Sequence, residues 1–192
     1  MSDHETRILA AESDVDGLQA HGTFYIDGTI LSDAAAVVTF SSISSDYDTL
    51  KLVINCRGDY STIITSFNMR FNNDSTSGNY NDIRLKGVKD AADVGGNTTQ
   101  TSFYVSTMPG LNAIANSCAA CEILIPSYSK TTFFKNYISK YGSIGHASDL
   151  TYFATGQHYG MWESTNAINR IDLLPAAGNF IAGSSFVVYG IK

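Results

Sequence analysis

The sequence predicts an all-β protein, an antiparallel β-sandwich that favours a jelly roll. Three observations carry this. From Thr23 onward, short runs rich in β-branched and aromatic residues recur at intervals of 10 to 15 residues, separated by Gly, Asn, Asp and Ser; such spacing is that of sandwich strands and their turns. Several runs alternate with period two, the signature of a strand buried on one face. Finally, Ser185-Phe186-Val187-Val188-Tyr189-Gly190-Ile191 is an apolar, glycine-bounded run near residue 192. A terminal stretch frays unless something ties it down, so this strand is expected inside a sheet.

Taken in order, residues 1–22 differ from the rest and are read as an N-terminal arm preceding one sandwich domain, residues 23–192. Glu5 to Glu12 could form one or two helical turns, too few to be stable alone, before Ser13-Asp14-Val15-Asp16-Gly17 breaks them. Thr23-Phe24-Tyr25-Ile26 ends at Asp27-Gly28, a hairpin-type pair. Ala35 to Phe40 follows. In Thr49–Cys56, Leu50, Leu52 and Ile54 share a face. Across Ile63–Asn72, Phe67, Met69 and Phe71 face one way and Asn68, Arg70 and Asn72 the other.

Asp82-Ile83-Arg84-Leu85-Lys86 alternates again. Ala91 to Gln100 is rich in Gly, Asn and Thr and reads as a long loop. Ser102–Ser106, Cys118–Ile125 (stopped by Pro126), Thr131–Tyr141, Thr151–Ala154, Gly160–Glu163, Ala167–Leu174 and the terminal run complete about ten or eleven strands. Two sheets of four to five strands absorb that number, and no fixed internal period points to a propeller or solenoid.

Composition narrows function. Charged residues make up only 16%, below the usual quarter or so, and Ser, Thr, Asn and Tyr take their place. Net charge is −6, with no basic cluster, which argues against nucleic-acid binding through phosphate neutralisation. No apolar run is long enough for a membrane span, and Met1-Ser2-Asp3-His4-Glu5 does not open a secretory signal; synthesis in a cytoplasm is expected. Three cysteines do not suggest a secreted disulfide framework.

The residues that could carry chemistry have simpler roles. Cys118-Ala-Ala-Cys121 has the spacing of half a zinc or redox motif, but positions three apart on a strand face opposite ways; neither metal nor cofactor is expected. His4, His21, His146 and His158 are scattered, and His146 lacks the strand–turn–helix setting of a nucleophile elbow. Asp46, Asp48, Asp149 and Glu163 show no spacing that would place two of them about a glycosidic bond. The Asn72–Asn79 loop is oxygen-rich but lacks the acidic ligands of a calcium loop. Arg57-Gly58-Asp59 follows a strand and reads as a turn. No enzyme is predicted. Tyr60, Tyr80, Tyr152, Tyr159 and Trp162 lie in or near loops and strand ends, and are the candidate contacts to a partner or a glycan if they face outward.

Several stretches together resemble small tail-fibre-like and decoration-like structural proteins of tailed bacteriophages. They are Val38-Thr39-Phe40-Ser41-Ser42-Ile43 with Ser45-Asp46-Tyr47-Asp48 and the strand after it, Met69 to Asp74 followed by Asn79-Tyr80, Trp162 to Ile168, and Phe180 to Lys192. The resemblance spans roughly residues 36–192 and has no counterpart for residues 1–30 or 91–100. It implies a virion structural protein without catalytic residues or cofactors, displayed on the particle exterior. Capsid decoration, with the major capsid protein as partner, is expected ahead of a tail-fibre or receptor-binding domain that meets tail proteins or a host-surface glycan. A homo-oligomer, taken as a trimer from family habit, is expected, with the arm as anchor. The competing classes are a carbohydrate-binding jelly roll and a glycoside hydrolase.

Overall fold

The computed structural model describes residues 22–89, 91–146 and 148–192. It contains twelve strands: β1 (Thr23–Ile30), β2 (Val38–Ser41), β3 (Thr49–Cys56), β4 (Ile64–Phe71), β5 (Tyr80–Val88), β6 (Ala91–Gln100), β7 (Phe103–Pro109), β8 (Ala119–Pro126), β9 (Lys135–Ile144), β10 (Phe153–Trp162), β11 (Arg170–Pro175) and β12 (Ser185–Ile191). They form two antiparallel sheets, one ordered β1-β12-β3-β8-β9-β10-β5-β6 and the other β2-β11-β4-β7.

The jelly roll is embedded in this order. Setting aside β5, β6, β9 and β10 leaves β1-β12-β3-β8 facing β2-β11-β4-β7, eight strands wound as nested Greek keys. The other four extend the first sheet past the edge of the second. The expected pair of near-equal sheets is thus corrected to eight strands over four. The terminal strand does lie inside a sheet, pairing with β1 on one side and β3 on the other. Gly22 exchanges backbone hydrogen bonds with Lys192, just before β1 begins. The rest of the arm lies outside the described residues.

The core is built by the alternations legible in the sequence. Leu50, Leu52 and Ile54 of β3 and Phe186 and Val188 of β12 meet Phe67, Met69 and Phe71 of β4 and Ile171 and Leu173 of β11. Phe180 and Phe186 meet edge-on at 4.9 Å between ring centroids, and Phe67 joins them at 5.9 Å. At the other end Phe71, Trp162, Tyr80, Phe103 and Tyr137 form a second aromatic chain.

Two expectations fail. Ala91–Gln100 is not a loop but β6, an edge strand pairing only with β5. Its side chains are mostly solvent-exposed, so main-chain pairing suffices and a strand-like composition is not needed. Thr151–Ala154 and Gly160–Glu163 are not separate strands: β10 runs through Gly156 and Gly160 without a break. A side chain at Gly160 would come within 2.2 Å of the Tyr137 ring, so this glycine admits a close approach and is not a turn.

The overhang of one sheet over the other leaves β7 with a single strand neighbour, β4. Its other edge is closed by side chains from the larger sheet. Tyr137 Oη and the His158 imidazole donate to the Tyr104 carbonyl at 2.8 and 2.9 Å, and Ser139 Oγ donates to the Val105 carbonyl at 2.9 Å. The Tyr104 amide donates to Asp82 Oδ2 at 3.2 Å. A buried backbone group without a partner costs about 1–3 kcal/mol, so these side chains do the work of a missing strand.

That requirement sets the facing of β5, whose alternation is legible in the sequence but whose inward side is not. Asp82 and Arg84 turn inward to the β7 edge, Arg84 lying 5.9 Å from the Tyr104 ring centre, and Lys86 on the same side meets Asp93 at 3.5 Å. Ile83 and Leu85 therefore point to solvent, 54% and 56% exposed.

Two predictions follow from this packing. A side chain at Gly190 would come within 2.2 Å of the Tyr47 ring, whereas one at Gly142 meets nothing within 4 Å. Gly190→Val should therefore destabilise the fold by about 1–3 kcal/mol, and Gly142→Val should be near neutral in urea denaturation. Equal effects would refute the packing argument.

Burial holds the His158 imidazole at about 4 against an ordinary 6.5, despite its bond to Tyr104. The unfolded chain then takes up a proton below pH 6.5 that the folded chain refuses. Stability should be level above that pH and fall towards pH 4, by about 2 kcal/mol between pH 7 and 5. His158→Asn should lose this slope; a slope unchanged in the variant would assign it elsewhere.

Candidate functional site

Alternation places every second residue of the eight-stranded sheet on its outer face, and the observed registers align these residues in rows. One row runs Ile83, Tyr159, Ile138, Leu124, Lys51, Tyr189, Tyr25 from β5 to β1. The next runs Val94, Leu85, Gln157, Lys140, Glu122, Val53, Val187 from β6 to β12. Antiparallel sheets with one wet face usually alternate apolar-in and polar-out. Here the outer face is itself apolar, with Tyr25 64% and Val94 69% exposed. Its charges are confined to the centre, where Lys51 Nζ meets Glu122 at 3.0 Å. Lys140 stands beside Glu122 on β9 and has no ion pair among the described residues.

A third row is made of small residues, Gly87, Thr155, Gly142 and Ala120. It forms the floor of a trough of about 630 Å³, walled by Phe153, Ile144 and the Asn116–Cys118 segment. A hollow of about 390 Å³ between Ile83, Leu85, Val94 and Tyr159 continues it. A hollow of about 350 Å³ joins them, sharing Gly87 and Thr155 with the first and Leu85 and Gln157 with the second. The surface is thus grooved along β10 from Phe153 to Tyr159.

The five aromatic candidates separate. Tyr159 stands on this outer face, 47% exposed, with its hydroxyl donating to Asn136 at 2.8 Å. Tyr60 is exposed in the β3–β4 connection, and Tyr152 is half-buried beside His146. Tyr80 and Trp162 are buried and removed as surface contacts. Trp162 Nε1 donates to Asp74 at 2.7 Å and the Tyr80 hydroxyl donates to the Asp74 carbonyl at 2.9 Å. Burial pushes the Asp74 carboxyl up, but hydrogen bonds from Asn79, Thr76 and Trp162 outweigh it and hold the group at about 2. The oxygen-rich loop is therefore organised around a carboxylate that binds its own chain.

The other motifs are accounted for in the same way. The Arg57 guanidinium donates to the carbonyls of Leu111, Ala113, Ile114 and Ser117, at 2.6–3.3 Å. Asp59 accepts from the backbone and side chain of Asn179 at 2.6 and 2.9 Å. The Arg-Gly-Asp tripeptide is an internal staple between loops. Cys118 is exposed and Cys121 buried, with all three cysteines free; burial pushes the Cys121 thiol up to about 12, far from a reactive thiolate. Asp149 Oδ1 accepts from the Thr151 amide at 2.9 Å, and Glu163 accepts from Asn81 at 2.7 Å. Among the described residues no group of three or more His, Cys, Asp or Glu could hold a metal.

No protein-family model and no curated protein matches the chain. Among solved structures it is similar to an exo-inulinase from Aspergillus awamori at 13% identity and a TM-score of 0.39, covering 88% of this chain and 29% of that one. It is also similar to the Caenorhabditis elegans galectin LEC-6, at 9% identity and a TM-score of 0.34 over 86% and 95% of the two chains. A third similarity is to the CBM40 of a Ruminococcus gnavus IT-sialidase bound to alpha2,3 sialyllactose, at 8% identity and a TM-score of 0.39 over 88% and 94%. The chain thus spans less than a third of the exo-inulinase and nearly all of the other two.

Proposed function

We propose that the chain is a structural protein of a tailed-bacteriophage particle, displayed on its exterior as a capsid decoration (cement) protein. The carrying observation is the outer face of the larger sheet, where Ile83, Leu85, Val94, Ile138 and Tyr159 stand exposed together. An apolar patch of this extent marks a surface that is covered in the working state, and coverage by neighbouring subunits is the working state of a shell component. The resemblance over residues 36–192 supplies the virion setting. The role requires no catalytic step, and Asp59, Asp74, Asp149 and Glu163 each accept hydrogen bonds from their own chain.

One observation favours a receptor-binding variant of the same reading. Tyr159 and Gln157 line one hollow, an aromatic ring beside a side-chain amide, the pairing by which a sugar is stacked and hydrogen-bonded. On that variant the protein belongs to the tail and meets a host-surface glycan.

Quantitative mass spectrometry of purified particles separates these readings. Decoration predicts a copy number comparable with that of the major capsid protein. A count far below it would assign the protein to the tail, and absence from the particle would overturn the virion reading. Removing residues 1–20, the proposed anchor, should abolish binding to particles while leaving thermal unfolding unchanged. Undiminished binding would overturn the anchor.

A further inference from the structure

We infer that the outer face of the eight-stranded sheet is covered by the same face of a second copy of this chain. The two sheets would stack about a two-fold axis parallel to the strands, passing between β8 and β9. This deepens the decoration reading by naming the partner of the apolar face, and leaves the particle contact to the arm.

The area is sufficient. Eight strands about 4.8 Å apart and roughly 26 Å long present on the order of 900 Å², against about 800 Å² per partner in a standard stable interface. The flanks have the composition of an interface core, apolar and aromatic, and the central charges are admissible there only as opposed pairs.

The charges fix the arrangement. In the order β1-β12-β3-β8-β9-β10-β5-β6, the midpoint falls between β8 and β9. The residues paired across it in the second row are Glu122 and Lys140. A two-fold axis along that line sets each Glu122 over the partner copy's free ammonium at position 140, making two equivalent ion pairs.

The same operation is favourable away from the centre. It places Tyr159 opposite Lys51 and Ile83 opposite Tyr189. Leu85 comes opposite Val187, while Gly142 and Ala120 oppose each other, so that the two troughs face one another across the axis as a shared hollow. Tyr25, the projecting ring at one edge, falls over Gly96 at the other. Opposed charges, a cation over a ring, and bulk against glycine are the pairings that self-complementary packing requires.

Charge exchange tests the geometry. Light scattering on the wild-type chain at micromolar concentration should give a dimer. Glu122→Lys places like charges together twice in a homodimer, as does Lys140→Glu. Each variant should associate about 100-fold more weakly or worse and run as a monomer with an unchanged circular-dichroism spectrum. An equimolar mixture of the two should recover the dimer, because both cross pairs are then Lys against Glu. Leu85→Lys should weaken the dimer without rescue by either variant.

A wild-type monomer or trimer, or a mixture that stays monomeric, would overturn the proposal. So would dimers unaffected by either reversal. Particle copy number is measured independently, so failure of the virion reading is distinguishable from failure of the dimer.

Discussion

The unpaired edge of β7 is the constraint on which the rest of the molecule depends. A jelly roll with equal sheets closes its edges by letting the two sheets meet at their rims. Here four additional strands carry one sheet beyond the other, and β7 is left bordering the underside of an overhang. Its carbonyls and amide must find partners there or lose about 1–3 kcal/mol each. Tyr137, Ser139, His158 and Asp82 supply them from three different strands. Polar residues are therefore committed to the inner face of β5, β9 and β10. On β5 the apolar members of the alternating pattern have no place to go but outward. The apolar outer face is thus linked to closure of the inner one.

The sequence made the jelly-roll strands readable because each has one dry face and one wet face, the condition under which period-two alternation means what it says. Leu50, Leu52 and Ile54, then Phe67, Met69 and Phe71, faced as their pattern predicts. The extension was harder to read because it departs from that condition. In β5 the alternation is present but inverted, since the inner surroundings are polar. In β6 the strand is an edge held by its backbone, and Gly95, Gly96 and Asn97 resemble a loop in composition. In β10, Gly156 and Gly160 resemble turns until the rings of Tyr141 and Tyr137 are seen occupying the space they leave.

Of the five aromatic candidates, only facing could separate Tyr159 from Trp162. They lie three apart on β10 and so on opposite sides, and no composition rule assigns which side is inward. The outer face was illegible for a related reason. Its two long rows are each assembled from seven strands, and registers such as Glu122 with Lys140 are set by non-local pairing.

The segments of the phage resemblance are brought together in space. Tyr47, from the Ser45–Asp48 run, packs against Gly190 of the terminal strand, and the Asp48 amide donates to the Ile191 carbonyl at 2.9 Å. Asn72 in the second segment accepts from the amides of Asn169 and Arg170 just beyond the third, while Asp74 holds Trp162. The matching stretches are therefore the joints of the jelly roll: the places where a turn meets a terminal strand or a loop is tied to a ring. Joints of this kind constrain a fold without specifying its ligand.

The outer face divides two tasks between two kinds of group. Apolar side chains supply association free energy but tolerate sliding, since Ile, Leu and Val accept one another in many registers. Charges contribute less net energy at an interface and much more discrimination. Among the described residues the charged side chains in the two long rows are Lys51, Glu122 and Lys140, so a like face meets few charges there. Slippage by one strand would carry Glu122 from Lys140 to Gln157 and set the two Lys140 ammonium groups against each other. The few charges at the centre are placed where they penalise that error most, and the apolar flanks can remain featureless because the centre sets the register for them.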